Sequence, residues 1–230
     1  MEKIKYILIA VVALFALNSC EDYSELERNT NKPNQVPAGL VLNGVLNDLY
    51  ESPWSLEHRQ NQFWACNYNY YGTNEYWAAA TLRFMTLKNI EKMKEEALRN
   101  GANEVNPYSA LGKFLTAVFY VRMTQRVGDL PLTQALKGLE NTSPKYDNQK
   151  QIYIAVLNLL EEANSDLAAL IAENDKTLQG DIYLNNDMAK WQKVVNSFKL
   201  RVLISLSKKE NDADLNVKAK FAAVINNPTK

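Results

Sequence analysis

Asn106-Pro107-Tyr108-Ser109-Ala110-Leu111-Gly112-Lys113-Phe114-Leu115-Thr116-Ala117-Val118-Phe119 is the stretch that decides the fold. Asparagine is a good N-cap because its side chain accepts a hydrogen bond from a first-turn N–H. Proline just inside the helix costs nothing there, since the first turn's N–H groups have no intrahelical partner anyway. Leu111, Phe114, Leu115, Val118 and Phe119 then recur at the i, i+3, i+4, i+7, i+8 spacing that lays one apolar stripe along a helix. The helix is expected to end near Gly128, where Gly128-Asp129-Leu130-Pro131 forms a turn that cannot continue it.

The same period extends outward on both sides. Upstream, Leu40, Val41, Gly44, Val45, Asp48 and Leu49 fit a helix from about Ala38 to Glu51, ended by Pro53. A second candidate covers about Leu56 to Cys66, and a third runs from about Tyr76 to Arg99 and stops at Asn100-Gly101. Downstream, Asn148 with Gln151 three residues later has the form of a capping box. The helix it opens would bury Ile152, Val156, Leu159, Leu160, Ala163, Leu167, Leu170 and Ile171. Gln179-Gly180-Asp181 to Asn186 reads as a connecting loop, and Asp187 can cap a helix whose face is Trp191, Val194, Val195, Phe198, Val202 and Leu206. A short last helix, about Leu215 to Ile225, stops at Asn226-Asn227-Pro228. No convincing period-2 strand is legible, and 8 glycines in 230 residues are few for a fold rich in strand turns. The fold class is therefore all-α, a tetratricopeptide-like array of antiparallel helix pairs with long irregular loops. Strict 34-residue self-similarity is missing, so any repeats are degenerate.

The N-terminus has a different character. Lys3 and Lys5 precede an apolar run from Tyr6 to Leu17. A membrane-crossing helix needs roughly 20 residues, so this run is too short to span and has the length of a signal-peptide core instead. Leu17-Asn18-Ser19-Cys20 follows and resembles the lipobox read by the lipoprotein signal peptidase, with Asn18 a mild departure. The expected organisation is a signal peptide over 1–19, a polar tether over 20–35 beginning at a lipidated Cys20, and a helical domain over 36–230. The lipid would hold the protein to a membrane.

Composition excludes several classes. Lys+Arg and Asp+Glu are both 26, so nothing favours nucleic acid as a partner. If Cys20 carries lipid, Cys66 is the one remaining thiol and an intramolecular disulfide is impossible. His58 is the single histidine, which leaves little for a histidine-based metal site or a Ser-His-Asp triad. Gly-x-Ser-x-Gly, Walker, Rossmann and His-Glu-x-x-His patterns are all missing, so neither catalysis nor a cofactor is expected. Calcium is not excluded, because carboxylates are plentiful, although no EF-hand loop occurs. Glu95-Glu96 and Glu161-Glu162 read as solvated helix faces, not as carboxylates opposed across a cleft.

Three stretches carry a family resemblance: Tyr120-Val121-Arg122-Met123-Thr124-Gln125-Arg126-Val127-Gly128-Asp129-Leu130-Pro131-Leu132-Thr133-Gln134-Ala135-Leu136, Ser143-Pro144-Lys145-Tyr146-Asp147-Asn148-Gln149-Lys150-Gln151-Ile152-Tyr153 and Trp191-Gln192-Lys193-Val194-Val195-Asn196-Ser197-Phe198-Lys199-Leu200-Arg201-Val202-Leu203. In this order they resemble the SusD/RagB family of Bacteroidetes outer-membrane lipoproteins, over roughly residues 31–208. Members are usually much longer, so the expectation is a chain that keeps the helical scaffold and lacks the second half. The resemblance implies a non-catalytic lipoprotein on the outer membrane, facing the cell exterior, that captures an oligosaccharide or a peptide and delivers it to a SusC-like TonB-dependent barrel. Physically, the motifs read as structural: Trp191 as a core anchor, Lys199 and Arg201 turned to water or paired with acids on an adjacent helix. A helical-repeat adaptor that binds protein partners stays open as the alternative.

A sugar site needs flat aromatic faces for the pyranose ring and amides or hydroxyls for its oxygens. Residues 63–77 have that composition, with 7 of the chain's 23 aromatics interleaved with three asparagines. The candidate ligand-binding residues are Trp64, Asn67, Tyr70, Tyr71, Asn74, Tyr76 and Trp77. Burial of Trp64, Tyr68 and Tyr71 at helical spacing is the competing reading of this segment. Alanine at Trp77 or Tyr70 should weaken ligand binding without changing helicity by circular dichroism. Unaltered affinity in both variants would remove this segment as the site.

Overall fold

The computed structural model describes residues 35–53, 55, 58, 63 and 80–227. Cys20 and the proposed signal and tether lie outside them, as does most of the Leu56–Cys66 helix candidate. Six α-helices are described: α1 (Ala38–Asn47), α2 (Phe84–Arg99), α3 (Pro107–Val127), α4 (Gln149–Ala172), α5 (Met188–Ser205) and α6 (Val217–Ile225). Among the described residues no strand forms, and one isolated antiparallel bridge pairs Leu130 with Asp147.

Each α-helix packs on the next in sequence, and the interhelix bonds show that the neighbours from α1 to α5 run antiparallel. The start of α2 meets the end of α1, where Thr86 Oγ1 donates to Asp48 at 2.6 Å, while its far end meets the chain just before α1, where Val36 N donates to Glu96 at 3.3 Å. Lys113 near the start of α3 reaches Asp166 near the end of α4 at 2.9 Å, and Gln149 at the start of α4 donates to the Thr124 carbonyl near the end of α3 at 2.8 Å. Asn196 on α5 donates to Asn164 on α4 at 2.8 Å, and Lys199 is ion-paired with Glu161.

The caps read from the sequence form as expected. Asn106 Oδ1 accepts from Ser109 N at 2.9 Å while Ser109 Oγ accepts from Asn106 N at 3.1 Å, so two otherwise orphaned donors are satisfied reciprocally. Asn148 and Gln151 make the same box, with both bonds at 2.9 Å, and Asp187 caps α5 through Lys190 N at 3.1 Å. Gly128 closes α3 at φ 80°, a backbone conformation that a side chain disfavours.

Helix α3 is the centre of the body. Its stripe residues Leu111, Phe114, Leu115, Val118 and Phe119 are buried, and so are Tyr108, Ala110, Tyr120, Val121 and Met123 on its other sides. The reason is that α2, α4, α5 and α1 all pack against it. The connection after α4 is pinned to the start of α1 by a close backbone crossing. A Cβ placed on Gly180, at φ 84°, would lie 1.9 Å from the Gly39 carbonyl oxygen.

Three expectations need correction. First, α1 ends at Asn47, not Glu51, and the chain tightens through i→i+3 bonds from Leu49 N to Leu46 O and from Tyr50 N to Asn47 O. Asp48 is drawn to Thr86, and the Leu49 carbonyl accepts from Arg122 at 3.3 Å. Second, α2 begins at Phe84, since residues 80–83 are not helical and Arg83 N is turned to the Met123 sulfur at 3.1 Å. Third, Glu96 is not on a solvated face: it is 1% exposed and gathers Lys92 at 3.0 Å, Arg99 at 3.1 Å and Val36 N.

The Lys92 hydrogen bond, opposed by burial and helped by Val36 N and Arg99, holds the Glu96 carboxyl below its ordinary value of 4.5. A depressed carboxyl adds stability above the unfolded-state pKa and loses it as pH falls through the folded one. The stability difference between the wild type and Glu96→Gln, from urea midpoints, should therefore be largest near neutral pH and shrink below about pH 4.5. A difference that grows on acidification would contradict this role.

Candidate functional site

The aromatic residues proposed from the sequence, Trp64, Asn67, Tyr70, Tyr71, Asn74, Tyr76 and Trp77, lie outside the described residues. Described residues stand at some distance on either side of that segment. Ser52 and Ser55 before it, and Thr81 and Arg83 after it, line one small cavity of about 150 Å³ together with Arg122 and Arg126.

A larger groove shares Tyr50, Glu51, Arg122 and Arg126 with that cavity and has a volume of about 680 Å³. It lies between α3 and α5. Its floor is apolar, formed by Phe114, Val118 and Val121 from α3 and by Trp191, Val194 and Phe198 from α5. These floor residues belong to the same helical stripes that build the core. Val194 and Phe198 are only partly buried, because nothing described covers α5 there.

The rings of the floor are locked together. Phe114 packs edge-on to Phe198 with centroids 5.9 Å apart and meets Trp191 at a tilt, also at 5.9 Å. Trp191 is 2% exposed, and its indole N–H donates to Asp181 Oδ2 at 3.0 Å. It is a core anchor, as read from the sequence, and its ring face is closed to a ligand. Accessible rings stand at the rim instead. Tyr50 is 62% exposed and Tyr183 is 47% exposed, the latter tied by its hydroxyl to the Leu46 carbonyl at 3.1 Å.

The charges of the rim are mostly positive. Arg122, Arg126 and Arg201 line the groove with a single carboxylate, Glu51, which pairs with Arg122 at 3.4 Å. Burial lowers the pKa of Arg122; Glu51 opposes the shift, and the nearby Arg201, Arg83 and Arg126 charges add to it. Sequence reading missed this cluster. The signal was present, since Arg122 and Arg126 stand at i and i+4 on α3, on one face of the helix.

Other chemistry is sparse. His58 shares a hydrogen bond with Ser55 Oγ at 2.9 Å through Nδ1 and tilts against Phe63 at 5.7 Å. Among the described residues no group of His, Cys, Asp or Glu could hold a metal ion, and no helix is long and apolar enough to cross a membrane. The expected pairing of Lys199 with an acid on an adjacent helix is present, to Glu161 on α4. Arg201 takes the other option and is exposed at the groove.

Residues 30–230 match the SusD-like family model described as starch-binding and associating with the outer membrane. A crystal structure of a SusD homologue from Bacteroides fragilis superposes with a TM-score of 0.70 at 32% identity, covering 83% of this chain and 40% of that one. An outer-membrane protein from Bacteroides vulgatus, described as involved in nutrient binding, gives a TM-score of 0.68 at 29% identity over 84% of this chain and 41% of its own. A SusD/RagB family protein from Bacteroides thetaiotaomicron shares the fold at 18% identity and a TM-score of 0.60. The chain thus spans about two fifths of the length of these structures. No curated protein matches it.

Replacing Trp191 by phenylalanine keeps a ring in the floor and removes the bond to Asp181. The cost should be about 1–2 kcal/mol of unfolding free energy, read from urea denaturation, with ligand affinity of the folded protein unchanged. Lost affinity at full stability would make Trp191 a ligand platform after all.

Proposed function

The chain belongs to the SusD-like family, and on that premise we propose that it captures a nutrient at an outer-membrane surface and delivers it to a SusC-type TonB-dependent barrel without cleaving it. The observation that carries this reading is the family match over residues 30–230, joined by the agreement in fold with the Bacteroides fragilis and Bacteroides vulgatus structures. The ligand is most simply an oligosaccharide, in keeping with the starch-binding description of the family, and a peptide is the second choice.

The sequence supplies the remaining parts of the proposal. Cys20, after a signal-like apolar run, would carry lipid and anchor the protein facing the cell exterior. Residues 20–35 would act as a polar leash that leaves the helical body free to approach and leave the barrel. Trp64, Tyr70, Tyr71, Tyr76 and Trp77 would offer rings to the apolar faces of a sugar, and Asn67 and Asn74 would offer amides to its hydroxyls. Binding and release need no general acid, base or nucleophile.

Titrating the intrinsic tryptophan fluorescence of the folded chain with neutral oligosaccharides and short peptides tests the reading. A saturable change with at least one of them is expected. A folded sample that answers none of them, yet retains a TonB-dependent barrel or another protein on co-purification, would favour a helical adaptor over a nutrient-binding protein.

A further inference from the structure

We propose that the groove between α3 and α5 is an anion subsite, which selects an oligosaccharide bearing carboxylate or sulfate groups. This inference rests on the nutrient-binding reading and adds the ligand's charge to it.

The protein as a whole is balanced, with 26 basic and 26 acidic residues, yet the groove gathers Arg122, Arg126 and Arg201 around Glu51 alone. Arg83 joins them in the adjoining small cavity. Arg126 has a further partner in the folded chain, so Arg122 and Arg201 bear most of the weight. Among the described residues Arg201 makes no ion pair, and Arg122 meets Glu51 at 3.4 Å, longer than a tight charge-assisted bond. Arg122 is also partly desolvated beside other guanidinium groups, an arrangement that an incoming anion would relieve.

The shape and surface of the groove also suit such a ligand. A volume of about 680 Å³ lies within the range of small-molecule sites. Planar guanidinium forks suit carboxylate and sulfate oxygens. Val118, Val121 and Phe198 give an apolar floor for the non-polar face of a sugar ring, and the exposed rings of Tyr50 and Tyr183 flank it. A neutral sugar would need no such excess of fixed positive charge.

Affinities of the full chain for two matched pairs of probes test the proposal by calorimetry. One pair is a galacturonate tetramer and its methyl ester, the other a sulfated galactan oligosaccharide and its desulfated form. At least one charged probe should bind about tenfold more tightly than its neutral partner. The preference should fade in about 0.5 M salt. Arg201→Gln, at an exposed position that leaves the core intact, should abolish most of it, and Arg122→Gln should do the same where circular dichroism shows the variant folded. Equal affinity for charged and neutral partners would overturn the anion subsite while leaving nutrient binding intact. A charge preference that persists in both variants would place it elsewhere and overturn the assignment to this groove. Silence from all four probes would overturn the subsite, and binding of other neutral sugars or peptides would then show whether nutrient binding itself survives.

Discussion

The burial of α3 is the constraint on which the rest of the structure depends. The start of that helix is buried, Asn106 included, so its first-turn N–H groups cannot rely on water and must be satisfied by the chain itself. Asn106 and Ser109 do this at the start, and at the end Thr124 Oγ1 donates to the Gly128 carbonyl at 2.6 Å. Four other helices then need apolar faces that match the sides of α3, which is why so much of the sequence is periodic.

The α3–α4 connection shows how polar groups fix that packing. Leu130 and Asp147 exchange backbone hydrogen bonds of 3.1 and 2.9 Å, and the Asp147 carboxylate accepts from the backbone N–H groups of Leu132 and Thr133, both at 2.9 Å. Partial burial alone would raise the Asp147 pKa, but these donors reverse the shift and hold it low. Gln149 adds bonds to Asp129 Oδ1 and to the Thr124 carbonyl, so the start of α4 is set against the end of α3. Two of the stretches that carry the family resemblance are thus two sides of one hydrogen-bonded corner. The third supplies Asn196, whose Nδ2 reaches Asn164 while its buried Oδ1 is unpartnered, and Lys199, which crosses to Glu161. Their side chains explain the motifs as packing and register devices.

Most of this architecture was legible because it follows from local chemistry. Capping residues act within three positions of one another, and apolar spacing reports a face whatever covers it. What escaped was set by distant contacts. The early end of α1 depends on Thr86 and Arg122, and the burial of Glu96 depends on Val36 reaching it across 60 residues. A periodic stripe also cannot say how many neighbours a helix has, so α3 was legible as a helix but not as the centre. For the candidate site the balance is reversed. The aromatic and asparagine content of residues 63–77 is plain in the sequence, whereas the groove arises only when Arg122 and Arg201, 79 positions apart, come together.

The placement of those arginines also bears on why the groove exists. Val194 and Phe198 pack against the core yet are only partly buried among the described residues, and an open apolar face of that kind invites non-specific association. Arginine can lie along such a face with its stem on apolar carbon and its fork toward water. Such a placement would shield the apolar floor and leave the fork available to an oxyanion. Lysine would screen the floor similarly but offer a point charge in place of a planar pair of donors. The same side chains can therefore keep the groove soluble when empty and make it selective when filled, and Glu51 at 3.4 Å is close enough to occupy Arg122 without binding it tightly.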